Sequence, residues 1–415
     1  MKQLCALAAG LLLAAPLARP ASADPACHWN MPGPAPHIVA HYIPWFTAGP
    51  GSKWNAWSRD IGQAHHDAAK KLPDGRRDIA SVLYPLIGPY DCSNPDVVRY
   101  ELKTMKAVGI QGVFIDWQAQ PDIEAHSALV FKEANQIGLK VAICYEEKSN
   151  FVWPAFRDPA TRAAAVQYAV GDLKYILSNY ATQPSYMRCN GLPVMFQFNG
   201  SGTGRLGPNY FSPAEWKQIV DALPQKIIFG RQGLDPAYDS SAQFRYMWFD
   251  PNKKTYDDFI NGARQMVDSG QQLFFMNSIS AGFNDTGVWG WGGGPRVTPR
   301  NGLSYFKYTY DEAYKGNPQI IQLVTWNDFN EGTALEPTLQ YGYDYLDTLA
   351  KWTARREGKK ADLAAIRKPF YEYVAHATPA ERAELPPKPL SQWTKWRPFT
   401  DSPDAGDKSA AGTRY

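Results

Sequence analysis

The sequence predicts an α/β fold, a (β/α)8 TIM barrel in a single domain, with peripheral C-terminal helices and a tail. Three observations lead there. Short apolar runs of strand length alternate with longer amphipathic runs, the mark of βα units and a parallel sheet. Eight such apolar runs occur between residues 37 and 326. Polar and ionisable residues collect directly after them, at the strand ends where this architecture builds its sites. A doubly wound open sheet is the alternative topology for the same alternation.

Taken in order, the strands are HIVAHYI (37–43), GVFIDW (112–117), KVAICYE (140–146), PVMFQFN (193–199), KIIFGRQ (226–232), RYMWFD (245–250), LFFMNSI (273–279) and QIIQLVTW (319–326). Helical segments fall at 95–109, 123–138, 162–180, 212–223 and 255–270. Several end in Gly, and Ser212 with Pro213 and Glu215 has the pattern of a capped start. Two long insertions interrupt the pattern. Residues 46–94 are rich in Trp, Gly and Pro, and 281–300 carry glycines with Trp289 and Trp291, the composition of a lid or of an ordered loop on the barrel rim.

The chain opens with Lys2, an apolar run and Ala21-Ser22-Ala23, a cleavable signal peptide over 1–23 that implies a secreted or periplasmic protein. The barrel follows over 24–355, then a peripheral helical extension over 356–400 and a disordered tail over 401–415. The leader's apolar run is too short to span a membrane, and no other such run exists. Cleavage takes Lys2 and Arg19 from 43 basic side chains and leaves 41 against 40 acidic ones, so the near-neutral chain shows no basic stripe for nucleic acid. Aromatics reach 13% with 14 tryptophans, and their flat faces suit sugar rings. A monomer is expected. Of Cys27, Cys92, Cys144 and Cys189, which allow three pairings, Cys27–Cys92 is preferred as a tether of the N-terminus; Cys144 lies inside an apolar strand and reads equally as a buried free thiol. No CxxC or HExxH spacing suggests a metal or cofactor, and adjacent His65 and His66 are assigned to a loop surface.

The strand-end residues include His41, Tyr42 and Trp45; Asp116, Trp117 and Gln118; Tyr145, Glu146 and Glu147; Trp248; and Trp326, Asn327, Asp328 and Glu331. Carboxylates, amides and aromatics recur without a Gly-rich phosphate loop or a G-x-S-x-G elbow, which suits a glycan cleft and argues against an ester hydrolase. The most apolar strand ends in TWNDFNEGTALEP, 325–337. Ionised carboxylates there are costly to desolvate unless something uses or pairs them. Glycoside cleavage needs an acid at the leaving oxygen and a second carboxylate as base or nucleophile, and Asp328 and Glu331 have the spacing to face the barrel mouth together.

This stretch resembles the W-N-E-W-H-E-G-T-x-I-E-P element of glycoside hydrolase family 99, the endo-α-mannosidases. It is also similar to W-N-D-Y-G-E-S of family 71, the α-1,3-glucanases. HYIPWF (41–46), YPLIGPYDCSNPDVV (84–98), GIQGVFIDWQ (109–118), AICYEE (142–147) and ISAGFNDT (279–286) add matches in consistent order across 40–350. The resemblance implies Glu331 as general acid and Asp328 as general base in an exported endo-acting hydrolase of α-mannan or α-1,3-glucan, with no metal. An Asp base is one methylene shorter than a Glu, about 1.5 Å, which makes room for an attacking water and inversion; retention through the sugar's own 2-hydroxyl is the other outcome.

Trp45, Trp117 and Trp326 are stacking candidates, and Tyr42, Tyr145 and Asn327 are candidates to bind hydroxyls or orient the acids. Glu146 and Glu147 are placed to raise the acid's pKa, and His41 stands at the barrel mouth. Glu336 is read as a brace of the loop, and Arg296 and Arg300 as partners at the lid-to-helix junction. The competing reading keeps the fold and removes the chemistry: a glycan-binding protein of an envelope or exopolysaccharide system, favoured if the two acids point apart or are locked in salt bridges.

Overall fold

The computed structural model describes residues 27–49, 54–147, 155, 160–198 and 210–385. The expected signal peptide (1–23) and tail (401–415) lie outside the described residues. Eight strands form the core: β1 His37–Tyr42, β2 Gly112–Trp117, β3 Lys140–Glu146, β4 Leu192–Phe198, β5 Ile228–Gln232, β6 Phe244–Tyr246, β7 Phe274–Ser280 and β8 Ile320–Val324. Pairing runs β3-β2-β1-β8-β7-β6-β5-β4 and returns to β3, parallel at every step, so the sheet closes into a barrel. The open-sheet alternative is thereby excluded. β6 is shorter than expected, because only three residues pair with its neighbours before the chain turns away.

The longer helices among the described residues are α1 Pro95–Val108, α2 Pro121–Ile137, α3 Arg162–Asn179, α4 Pro213–Asp221, α5 Lys253–Asp268, α6 Ser304–Ala313, α7 Asp344–Arg356 and α8 Leu363–His376. α1 starts where Asn94 accepts from the Asp96 amide, and Ser212 with Glu215 makes a full capping box at α4. β5 and β6 are joined by a single 3-10 turn, Pro236–Tyr238. The C-terminal α8 packs on α1, where Lys103 and Glu372 pair at 2.7 Å.

Side chains alternate between two faces along each strand. Val39, Phe114, Ala142, Cys144, Phe196, Ile228, Phe244, Met276 and Ile320 fill the barrel interior. Ile38, Ala40, Tyr42, Val113, Ile115, Trp117, Ile143 and Tyr145 face the helices.

Two expectations are corrected. Cys27 pairs with Cys189, not Cys92, which is a buried free thiol like Cys144. Cys92 lies just beyond the C-terminal end of β1, its Sγ 3.9 Å from the Ile43 carbonyl. Cys27 packs with Cys189, which precedes β4, at the opposite end of the barrel. His65 and His66 sit on a short antiparallel hairpin, Arg59–Ile61 with Ala64–His66, each bonded to a carboxylate, Asp60 and Asp78.

Candidate active site

The loop after β8 folds back on its own strand end. Thr325 Oγ1 accepts from the Asp328 amide at 2.8 Å and meets Thr333 Oγ1 at 2.9 Å, while the amides of Leu335 and Glu336 return to the Trp326 carbonyl. The Trp326 amide donates to the His41 carbonyl at 2.7 Å, tying the loop to β1. Gly332 takes φ 60°, and a Cβ there would meet the Asn284 carbonyl at 2.6 Å. The loop is also gripped from the 46–94 insertion: Asn330 Nδ2 donates to the carbonyls of Ala56 and Ala80, and Ser81 Oγ to that of Phe329. Beneath it Phe46, Trp57, Tyr90 and Phe329 pack ring on ring.

This construction turns Asp328 and Glu331 into one cavity of about 430 Å³ at the C-terminal mouth of the barrel. The Glu331 amide donates to Asp328 Oδ1 at 2.9 Å. His41, Trp45 and Glu146 share the cavity with them, together with Asn55, Arg59, Asp116, Gln118, Trp248 and Trp291.

The structure does not bring the other sequence candidates there. Tyr42 donates to Glu101 Oε2 on α1 at 2.8 Å, Trp117 stacks on Tyr175, Tyr145 donates to Asp172 at 2.8 Å, and Trp326 Nε1 donates to Glu101 Oε1 at 3.3 Å. On β1, β2 and β3 the reason is parity: His41, Asp116 and Glu146 face inward, so Tyr42, Trp117 and Tyr145 must face the helices. Asn327 clamps both backbone polar groups of Ile43, and Glu147 accepts from the Phe211 amide; both brace loops. Glu336 accepts from Tyr90 behind the loop, Arg296 binds Asp285, and Arg300 donates to the carbonyls of Gly332 and Ala334.

The charges in the cavity are strongly perturbed. Burial, then the neighbouring Glu331, pushes the Asp328 carboxyl well above the usual range, and the same causes raise Asp116. Burial raises Glu331, opposed by the Trp291 indole N–H at 3.0 Å from Oε1 and by Arg296. Arg296 Nη2 stands 3.9 Å from Glu331 but 2.6 Å from Asp285, so the acid is not locked in a tight ion pair. Burial lowers His41 to about 3, so the ring is neutral. Its Nδ1 faces Gln322 Nε2 at 3.4 Å and accepts there, which leaves Nε2–H to donate to Asp116 Oδ2 at 3.0 Å. Trp248 packs edge-on against the same ring.

Two lining residues come from insertions. Arg59 rises from the 59–66 hairpin and lies over the Trp291 ring, 5.5 Å from its centroid. Trp291 lies in the Thr286–Gly292 segment, which kinks where Trp289, Gly290 and Trp291 take left-handed φ of 49°, 56° and 54°; the segment packs on the rim next to the hairpin, with 41% of the Trp291 surface exposed. Sequence reading marked Trp291 for contact but had no signal for Arg59, which sits in a run without apolar periodicity. Asp116 and Trp248 were visible only as strand-end residues.

Residues 35–351 match the model of Glycosyl hydrolase family 99. The glycoprotein endo-α-1,2-mannosidase of Mus musculus is 24% identical over 328 residues, covering 72% of this chain and 67% of that protein. Its Xenopus laevis counterpart is 21% identical over 375 residues, 78% of each. Among solved structures, the family 99 endo-α-mannosidase of Bacteroides thetaiotaomicron superposes with a TM-score of 0.60 at 20% identity, over 79% of this chain and 99% of that one, a likeness of fold. With the family model spanning the whole barrel, from before β1 into α7, the chain belongs to glycosyl hydrolase family 99.

Proposed function

We propose that the protein is an exported endo-acting glycosidase of an α-linked polysaccharide, α-mannan or α-1,3-glucan, with Glu331 as general acid and Asp328 as general base. One observation carries the reading: Asp328 and Glu331 converge on a single cavity where burial raises both carboxyls, and the neighbouring Glu331 raises Asp328 further. An acid must hold its proton near neutral pH to protonate a leaving oxygen, and this environment favours that. The relatives named endo-α-1,2-mannosidases support an α-mannan substrate. Export is supported by the leader sequence and by a disulfide, a bond that persists in oxidising compartments.

In this mechanism Glu331 gives its proton to the glycosidic oxygen as the bond to the anomeric carbon breaks. Asp328 takes a proton from the attacking water, or from the sugar's 2-hydroxyl if the configuration is retained. The test is product release from α-1,3-glucan, from α-1,6-mannan with α-1,2 branches and from β-linked controls. Asp328→Asn and Glu331→Gln are each expected to lose about 10²–10⁴-fold in kcat on one α-glycan. Full activity in either variant removes that residue from its role, and the anomer first released, read by NMR, separates water attack from attack by the 2-hydroxyl.

A further inference from the structure

We propose that Arg59 anchors an anionic substituent on the glycan, a carboxylate or a sulfate ester, so that the ligand class is an acidic α-glycan. The proposal rests on the glycosidase reading above and adds the charge of the substrate.

Arg59 differs from the other arginine at the cavity rim and from the paired arginines elsewhere in having no acceptor for its guanidinium. Arg77 forks onto Glu384 with two contacts of 2.7 Å, Arg162 onto Glu215, and Arg367 onto Asp347. At the rim of the same cavity, Arg296 is committed to Asp285. The Arg59 side chain makes no hydrogen bond and no ion pair with any described residue, and its Nε is buried without an acceptor. Arg231 also lacks acceptors, but it faces the helix layer with its guanidinium 3.4 Å from the centre of the Tyr238 ring, outside the cavity.

The guanidinium is held ready for a ligand. Arg59 pairs with His66 across the hairpin, and His66 is fixed by Asp78 at 2.7 Å. At the turn, Gly62 (φ +60°) lies so close to Trp289 that a Cβ would fall 2.0 Å from its ring, so the hairpin and the 286–292 segment interlock. The Trp291 face supports the guanidinium from one side.

Five N–H donors in a planar fork match a carboxylate or sulfate bidentately, and a donor buried without a partner is costly until something accepts from it. Asp328 attracts the cation without contacting it. Asp116, Glu146, Asp328 and Glu331 line the same cavity, and burial displaces Asp116, Asp328 and Glu331 upward, which lessens the negative charge that faces Arg59.

The experiment uses the full chain with α-mannan and α-1,3-glucan, each in three forms: native, oxidised at C6 to the uronate, and O-sulfated. Initial rates are taken at low and at high salt. The expected result is a preference of about tenfold or more in kcat/KM for one charged form over its neutral parent, shrinking as salt is added. Arg59→Met brings that ratio close to one, and Arg59→Lys, a charge without the fork, restores part of it. Comparing uronate with sulfate identifies the anion. Equal or better use of the neutral polymer by the wild type overturns the proposal, as does a preference that survives Arg59→Met. If no polymer is cleaved, the glycosidase reading fails; equilibrium binding of the same polymers to wild type and Arg59→Met then decides the role of Arg59 on the same ratio.

Discussion

Glu331 stands between opposing influences, and in the proposed role of general acid the balance sets the pH at which it works. Burial favours its neutral form, whereas the Trp291 N–H favours the carboxylate. An acid catalyst works while protonated, so activity falls as pH rises through its pKa. Trp291→Phe removes the donor and leaves burial unopposed on that side; the basic limb of the kcat/KM profile is expected to move to higher pH. A downward or absent shift would show that Trp291 does not govern the acid. At this scale the sequence was legible where spacing fixes position: Asp328 and Glu331 are recognisable from spacing and from the turn at Gly332, and both line one cavity. It was illegible where direction decides. Tyr42 and His41 are neighbours in sequence and equally plausible as sugar contacts, yet one touches α1 and the other Asp116, because a strand sends consecutive side chains to opposite faces.

Among elements, all eight strands could be read from apolar runs, since burial on both faces leaves little else to place there. The hairpin over 59–66 could not: its pairing is only three residues long and is held by side chains from distant segments. Nor could sequence reveal the polar layer between α1 and the loop after β8. There Glu101 accepts from Tyr42 and Trp326, and Glu336 from Tyr90, with Asn327 Nδ2 at 3.1 Å from the Tyr90 hydroxyl. Burial pushes Glu101 up to about 8 and Glu336 well above its usual value. Between the unfolded carboxyl range and these raised values the native state binds more protons than the unfolded chain, so stability is present at low pH and lost as pH rises. The melting temperature is expected to fall between pH 5 and pH 8, and Glu101→Gln is expected to reduce that fall. A pH-independent melting curve, or an unchanged slope in the variant, would count against this layer as the source.

For the molecule as a whole, the closed sheet separates two tasks. The Cys27–Cys189 bond joins positions 162 residues apart at the end of the barrel away from the cavity. Cross-linking so long a loop restricts the unfolded chain, and Cys189→Ser or reduction is expected to cost about 2–5 kcal/mol in urea unfolding. The cavity does not depend on that end, so kcat of the folded variant should match that of the wild type; a loss of activity greater than the loss of folded protein would contradict this separation.

The hairpin has a consequence of a different kind. It presents Arg59 to the cavity from the first third of the chain, whereas the two carboxylates come from the last third. Eight consecutive residues, 59–66, form a hairpin separate in sequence from the loop after β8, whose internal bracing between Thr325, Asp328 and Glu331 involves none of them. If the proposed role of Arg59 holds, a library at positions 59–61 that keeps Gly62 and His66, the two residues that anchor the hairpin, searches substrate preference from outside the loop that carries Asp328 and Glu331.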